Sequence, residues 1–218
     1  MTLEHDAAEE ARLAATRSRL DDDPDEDDEE SEEKTAKESV VTLDLLKKER
    51  TVVISEVVTP KLTQRILSQL LWLDGQSESP IKLFINTPGG SADDGFAIMD
   101  VIKFIKAPVF NICLGLNASA GNLILLGSPK ERRLALPNAR IMIHQPSGGG
   151  RGRVTDIEIT AEEILKLRRR ANEVIASETG RSVEQVENDT DRDHWLSAEE
   201  AKDYGLVSRV ITTLRDIM

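Results

Sequence analysis

Short β-rich runs alternate with amphipathic helical runs from Thr51 onward, and this alternation constrains the fold more than any other feature. Thr51 to Ser55 (TVVIS) reads as a strand. Thr59-Pro60 then reads as an N-cap followed by proline at the first helical position. Leu62, Ile66 and Leu70 follow at helical spacing, with Leu67 and Leu71 beside them. Asp74 to Pro80 is a polar break before the strand Ile81 to Asn86, which ends in the turn Thr87-Pro88-Gly89-Gly90. Phe96 to Ile105 reads as a helix and Val109 to Leu116 as a buried strand. Asn117 to Gly121 is small and polar, and Leu123 to Leu126 continues as a helix. Strand, helix, strand in this order predicts parallel strands joined by crossover helices. Ligands of such folds sit where strands end and helices begin. Thr87–Ser91 and Asn117–Gly121 both occupy that position.

The second half opens with two short strands, Arg133 to Leu136 and Ile141 to Ile143, followed by the glycine-rich Ser147 to Arg153. Thr160 and Glu163 have capping-box spacing and are expected to open a long helix through Ser177, stopped by Gly180. Ser182 with Gln185 and Ser197 with Glu200 repeat that spacing, and Gly205 reads as the last C-cap.

Charge divides the chain. Residues 1–38 carry 16 acidic and 5 basic side chains, against 24 and 23 in residues 39–218. An acidic block such as Asp21 to Glu33 repels itself and buries no core, so residues 1–38 read as a disordered tail. The remainder is near neutral with no basic run, which argues against nucleic acid as the main ligand. The N-terminus lacks a basic start followed by an apolar block, and no apolar stretch approaches membrane-spanning length. The single Cys113 permits no internal disulfide and reads as a buried small hydrophobe. No phosphate loop of the G-x-x-x-x-G-K-[ST] type and no Cys/His cluster of metal-ligand spacing occurs.

Four sets of residues could do chemistry. Ser119 lies at a strand-to-helix junction among small neighbours, where backbone N–H groups face developing negative charge. A serine there is also a common helix cap. A serine nucleophile needs a base. Of the three histidines, His5 lies in the tail, His144 follows an apolar strand, and His194 sits in a polar segment as a surface residue would. The base needs an orienting acid, for which Asp156, Asp189, Asp191 and Asp193 are all available. Gly89-Gly90 offers backbone donors near a strand end, although a Gly-Gly pair is usually only a turn.

At this point a resemblance adds what spacing does not. Residues 86–91 (NTPGGS), 115–121 (GLNASAG), 136–149 (LPNARIMIHQPSGG), 155–159 (TDIEI), 187–193 (ENDTDRD) and 196–207 (LSAEEAKDYGLV) are similar to successive signatures of the ClpP family, the proteolytic subunits of Clp proteases. The similarity runs from about Leu45 to Ile211. It implies an α/β chain with a ClpP/crotonase-like superhelix of β-β-α-type units and a protruding handle helix. The peptidase domain would span 39–218, its head at about 39–145 and 182–218 and its handle at about 146–181. The implied triad is Ser119, His144 and Asp193, with the backbone N–H groups of Gly90 and Ala120 as the oxyanion hole. The implied activity is serine endopeptidase cleavage of unfolded polypeptides in a cytoplasmic, self-compartmentalised protease, without metal or other cofactor.

The implied partners are further copies in two stacked heptameric rings, a ClpP paralogue, and an ATP-using AAA+ unfoldase of the ClpX, ClpA or ClpC type. The handle helix would run from Ala161, entered through a strand formed by TDIEI. The chain also departs from the family. Ala120 replaces the usual methionine after the serine, and Asn117 replaces a small or Gln-like residue. Lys82 stands where an aromatic is common in the apolar pocket that docks the unfoldase, while Phe84 and Phe104 keep other parts of it. No axial-loop sequence precedes Leu45. These departures motivate an alternative, a non-catalytic or conditionally active ClpP-like subunit working with a paralogue. A crotonase-type acyl-CoA enzyme shares the fold, but the filled triad positions argue against it.

Overall fold

In a computed structural model, residues 42–149 and 151–217 are described. The expected tail, residues 1–38, lies outside them. Residues 45–218 form one compact unit.

Five strands make the spine of a seven-stranded sheet. These are β1 (Thr51–Ile54), β2 (Ile81–Thr87), β3 (Val109–Ala118), β4 (Arg133–Ala135) and β7 (Arg209–Val210), in that spatial order and all parallel. The helices α1 (Pro60–Gln76) and α2 (Ala92–Phe104) are the crossovers between the first three strands. This is the architecture that the alternation predicted.

α1 starts as its sequence dictates. The Thr59 hydroxyl accepts the Leu62 N–H at 3.3 Å, and Pro60 follows at the first helical position. Leu62, Ile66, Leu70 and Leu73 are buried on its inner face. Its C-terminal carbonyls are met from outside by Arg50, whose guanidinium donates to Leu73 O at 3.0 Å and Ser77 O at 3.0 Å. Thr59→Ala removes one capping bond, so a loss of about 1 kcal/mol is expected. Denaturant midpoints of the two proteins would check it.

α2 begins at Ala92, four residues before Phe96. Ser91 caps it by accepting the Asp94 N–H at 3.2 Å, and Asp93 and Asp94 complement its dipole.

β3 is long enough to serve two partners. Asn111 to Cys113 pair with β4, whereas Leu116 to Ala118 pair with β5 (Arg140–Ile143), also in parallel. The strand changes partner around Gly115, at φ +56, where a Cβ would lie 2.8 Å from Asn86 Oδ1. β5 in turn pairs antiparallel with β6 (His194–Ser197).

Between these strands lie α3 (Ala120–Leu125), α4 (Val154–Thr179), α5 (Val183–Thr190) and α6 (Ala198–Tyr204). Ser197 and Glu200 form the expected box at α6, and Gly205 ends it at φ +99. Buried Arg133 joins the sheet to the end of α4 through a 3.0 Å bond to Glu178 O, with Glu178 Oε2 at 3.6 Å. Burial lowers its affinity for its proton, and the charge of Glu178 opposes that.

The start of α4 corrects two expectations. TDIEI is helix rather than strand, and Thr160 does not cap. The helix opens at Val154, where the Asp156 carboxylate accepts the Arg153 N–H at 3.3 Å. Thr160 is a full turn inside, with its hydroxyl donating to Asp156 O at 2.8 Å. Residues 151 to 159 are exposed, so local capping outweighs the β-leaning composition there.

Candidate active site

Three neighbouring strands bring the chemistry together, and their register decides which residues meet. β3 pairs Ala118 with Met142 of β5, so Ser119 emerges beside the strand end that carries His144. β5 pairs Ile143 with His194 of β6 in antiparallel sense. The residue after Ile143 therefore lies opposite the residue before His194, and these are His144 and Asp193.

The distances follow. Ser119 Oγ is 2.9 Å from His144 Nε2, and Asp193 Oδ1 is 3.0 Å from His144 Nδ1. A carboxylate only accepts, so Nδ1 carries the proton and Nε2 is left to accept from the Ser119 hydroxyl. His144 is largely enclosed, its side chain 21% exposed, whereas that of Asp193 is 59% exposed.

The other acids are engaged elsewhere. Asp156 caps α4. Asp189 accepts the Tyr204 hydroxyl at 2.8 Å. Asp191 meets Gln145 Nε2 at 3.4 Å and lies 3.8 Å from Arg168. His194 faces Tyr204, ring to ring at 5.9 Å.

Ser119 occupies the N-cap position of α3, yet its side chain makes no capping bond. Its backbone sits at φ 54, ψ −120. A non-glycine residue there is strained, and such strain gathers at functional sites. The helix-cap reading therefore gives way: the hydroxyl faces the imidazole instead.

The Gly89-Gly90 turn packs directly on this junction. A Cβ at Gly89 would stand 2.6 Å from Ser119 Cβ, and one at Gly90 would stand 2.2 Å from Val58 O. Val58 N–H donates to Gly89 O, and Ser91 N–H donates to Val58 O. Those bonds flank Gly90, so its own N–H is turned away from Val58, and Gly90 lines the cavity beside Ser119. Ala120 N–H, at the first position of α3, has no helical partner.

The sequence places Thr87 in the turn, but its side-chain role emerges only in the structure. Its buried hydroxyl donates to Glu56 O at 2.7 Å and accepts the Gly89 N–H at 3.1 Å, which holds the turn in place. A threonine directly before Pro-Gly-Gly was the available signal.

A cavity of about 180 Å³ opens beside Ser119 and His144, walled largely by apolar groups of Ala120, Leu123, Leu167 and Ala171. Cys113 is no rival nucleophile. It is fully buried, and burial pushes its thiol up to about 12. Among the described residues, no group of three or more His, Cys, Asp or Glu side chains could hold a metal ion. No helix among them is long and apolar enough to cross a membrane.

A hydroxyl on one imidazole nitrogen with a carboxylate on the other, set at strand ends of an α/β sheet, defines the class of serine hydrolases. The sequence pattern of the Clp protease family matches residues 33–214. The chain belongs to that family, whose members are serine peptidases.

Its similarity to curated relatives is high. It is 51% identical over 172 residues to the ATP-dependent Clp protease proteolytic subunit 3 of Rhizobium johnstonii, covering 79% of this chain and 89% of the relative. The same subunit of Rhizobium meliloti is 49% identical, with 79% and 88% covered. Among solved structures, a ClpP1 point mutant from Listeria monocytogenes superposes with a TM-score of 0.76 at 45% identity. That match covers 82% of this chain and 99% of the other. Family membership implies an oligomer working with an unfoldase, and it favours the proteolytic reading over the non-catalytic one.

Proposed function

We infer that Ser119, His144 and Asp193 form the catalytic triad of a Clp-type endopeptidase. The single observation that carries this reading is the continuous chain of contacts, 2.9 Å and 3.0 Å, from Ser119 Oγ through His144 to Asp193. Ser119 Oγ attacks the scissile carbonyl as His144 Nε2 takes its proton. His144 then passes that proton to the leaving amine, and a water, deprotonated by the same nitrogen, releases the acyl group. The N–H groups of Gly90 and Ala120 serve the oxyanion; both residues line the cavity beside Ser119. Asp193 holds the tautomer that leaves Nε2 free to accept.

The active form is a pair of stacked seven-membered rings in the cytoplasm, fed with unfolded polypeptide by an ATP-using unfoldase, and the chain itself needs no cofactor. A paralogue is a further candidate for the second ring. Lys82 bears on docking: its ammonium, 3.5 Å from Glu49, shares the half-buried face of β2 with Phe84 and makes that pocket less apolar.

The assembled protein should hydrolyse a fluorogenic peptide and be labelled by a fluorophosphonate. Native mass spectrometry should show the rings. An oligomer that does neither reaction would overturn the triad reading, and a stable monomer would overturn the assembly.

A further inference from the structure

The strained backbone at Ser119 must be held by its surroundings. At φ 54, ψ −120 it persists only where neighbouring structure over-determines it. We propose that Asn122, fixed in turn by Asn117, is a positioning residue that locks the Ser119 turn onto the strand carrying His144. The proposal rests on reading Ser119 as the nucleophile.

A single carbonyl joins the two parts. Met142 O accepts the Ser119 N–H at 2.9 Å and Asn122 Nδ2 at 2.7 Å. The same Asn122 nitrogen lies 3.3 Å from Ser119 O. Met142 precedes His144 by two residues and belongs to β5. One side-chain amide therefore spans the turn that bears the nucleophile and the strand that leads to the base. Neither asparagine has a bond to the reacting atoms, so the role is positioning and not catalysis.

The orientation of that amide is itself set. Asn122 Oδ1 accepts from Asn117 Nδ2 at 3.2 Å. Flipping the Asn122 amide would aim its oxygen at Met142 O and its nitrogen at the Asn117 NH2 group, losing both bonds. Gly121 makes room for the pair, since a Cβ there would stand 2.2 Å from Asn117 Oδ1. Both asparagines are buried, and Asn117 Oδ1 has no hydrogen-bond partner among the described residues. A buried, half-satisfied amide pair costs stability. What it returns is a fixed junction between α3 and β5.

The test compares Asn122→Ala and Asn122→Leu, the second keeping the volume without the bonds, with the wild-type oligomer. A displacement of about 1 Å at a nucleophile costs on the order of 100-fold in rate. Both variants should therefore lower kcat by about 10- to 100-fold, with KM within about threefold, and slow fluorophosphonate acylation in parallel. Asn117→Ala should give a smaller fall, and the double Asn117→Ala/Asn122→Ala variant should be no worse than Asn122→Ala, because Asn117 acts through Asn122. A crystal structure of Asn122→Leu should show Ser119 leaving its positive φ or its hydroxyl leaving His144. Wild-type kcat in Asn122→Leu would overturn the proposal. So would a structure of that variant with the turn and the Ser119–His144 contact unchanged. The crystallographic arm reads the turn itself, whereas labelling of the wild type decides whether Ser119 is the nucleophile.

Discussion

Ser119→Ala is expected to abolish fluorophosphonate labelling and to lower peptide hydrolysis by a factor of about 10⁴ or more, leaving the fold and assembly intact. The size follows from the unit character of a triad. Without the hydroxyl, His144 has no proton to take and no acyl-enzyme forms, so only binding and oxyanion stabilisation remain. A 10⁴-fold loss corresponds to about 5.5 kcal/mol of transition-state stabilisation. The stability effect should be small and of either sign. A hydroxyl is removed that makes no capping bond to the helix, while the strained backbone remains. Hydrolysis rates, labelling and thermal melting of the two proteins separate these effects. Wild-type turnover in the alanine variant would mean that another group is the nucleophile.

Asp193→Asn should lower kcat by about 10²- to 10⁴-fold, with Asp191→Asn changing it by no more than about threefold. The amide at 193 can donate to Nδ1, which favours the tautomer with its proton on Nε2, and that nitrogen can no longer accept from Ser119. The range extends downward because the Asp193 side chain is 59% exposed, so water can partly replace its function in the variant. Asp191 is the internal control: it is two residues away and equally acidic, but engaged with Gln145 and Arg168. Steady-state kinetics of the two variants side by side would check this, and equal losses would mean that general acidity near His144 matters rather than one oriented carboxylate.

Local chemistry was legible in the sequence wherever neighbours along the chain set it. Thr59-Pro60, Gly180 and Gly205 begin or end helices as read, because caps act within one turn. The alternation of strands and helices likewise led to a parallel sheet. Register was not legible. Which of the four aspartates meets His144 depends on Ile143 pairing with His194, a contact between segments about fifty residues apart that no local spacing reveals. Ser119 misled for a similar reason. Its position is that of a cap, and only the backbone angles and the strand beside it turn the hydroxyl outward. The start of α4 was not legible because Arg153–Asp156 has the same spacing as Thr160–Glu163, and an arginine at the N-cap carries none of the Ser/Thr signature that marks a helix start.

The partner change of β3 at Gly115 acts as a ruler. The first stretch of the strand is measured against β4 and the second against β5, so the count of residues from Cys113 to Ser119 must suit both. Because side chains alternate sides along a strand, one residue added or lost between Leu116 and Ala118 would rotate Ser119 away from His144. That short piece of chain can change its letters far more readily than its length.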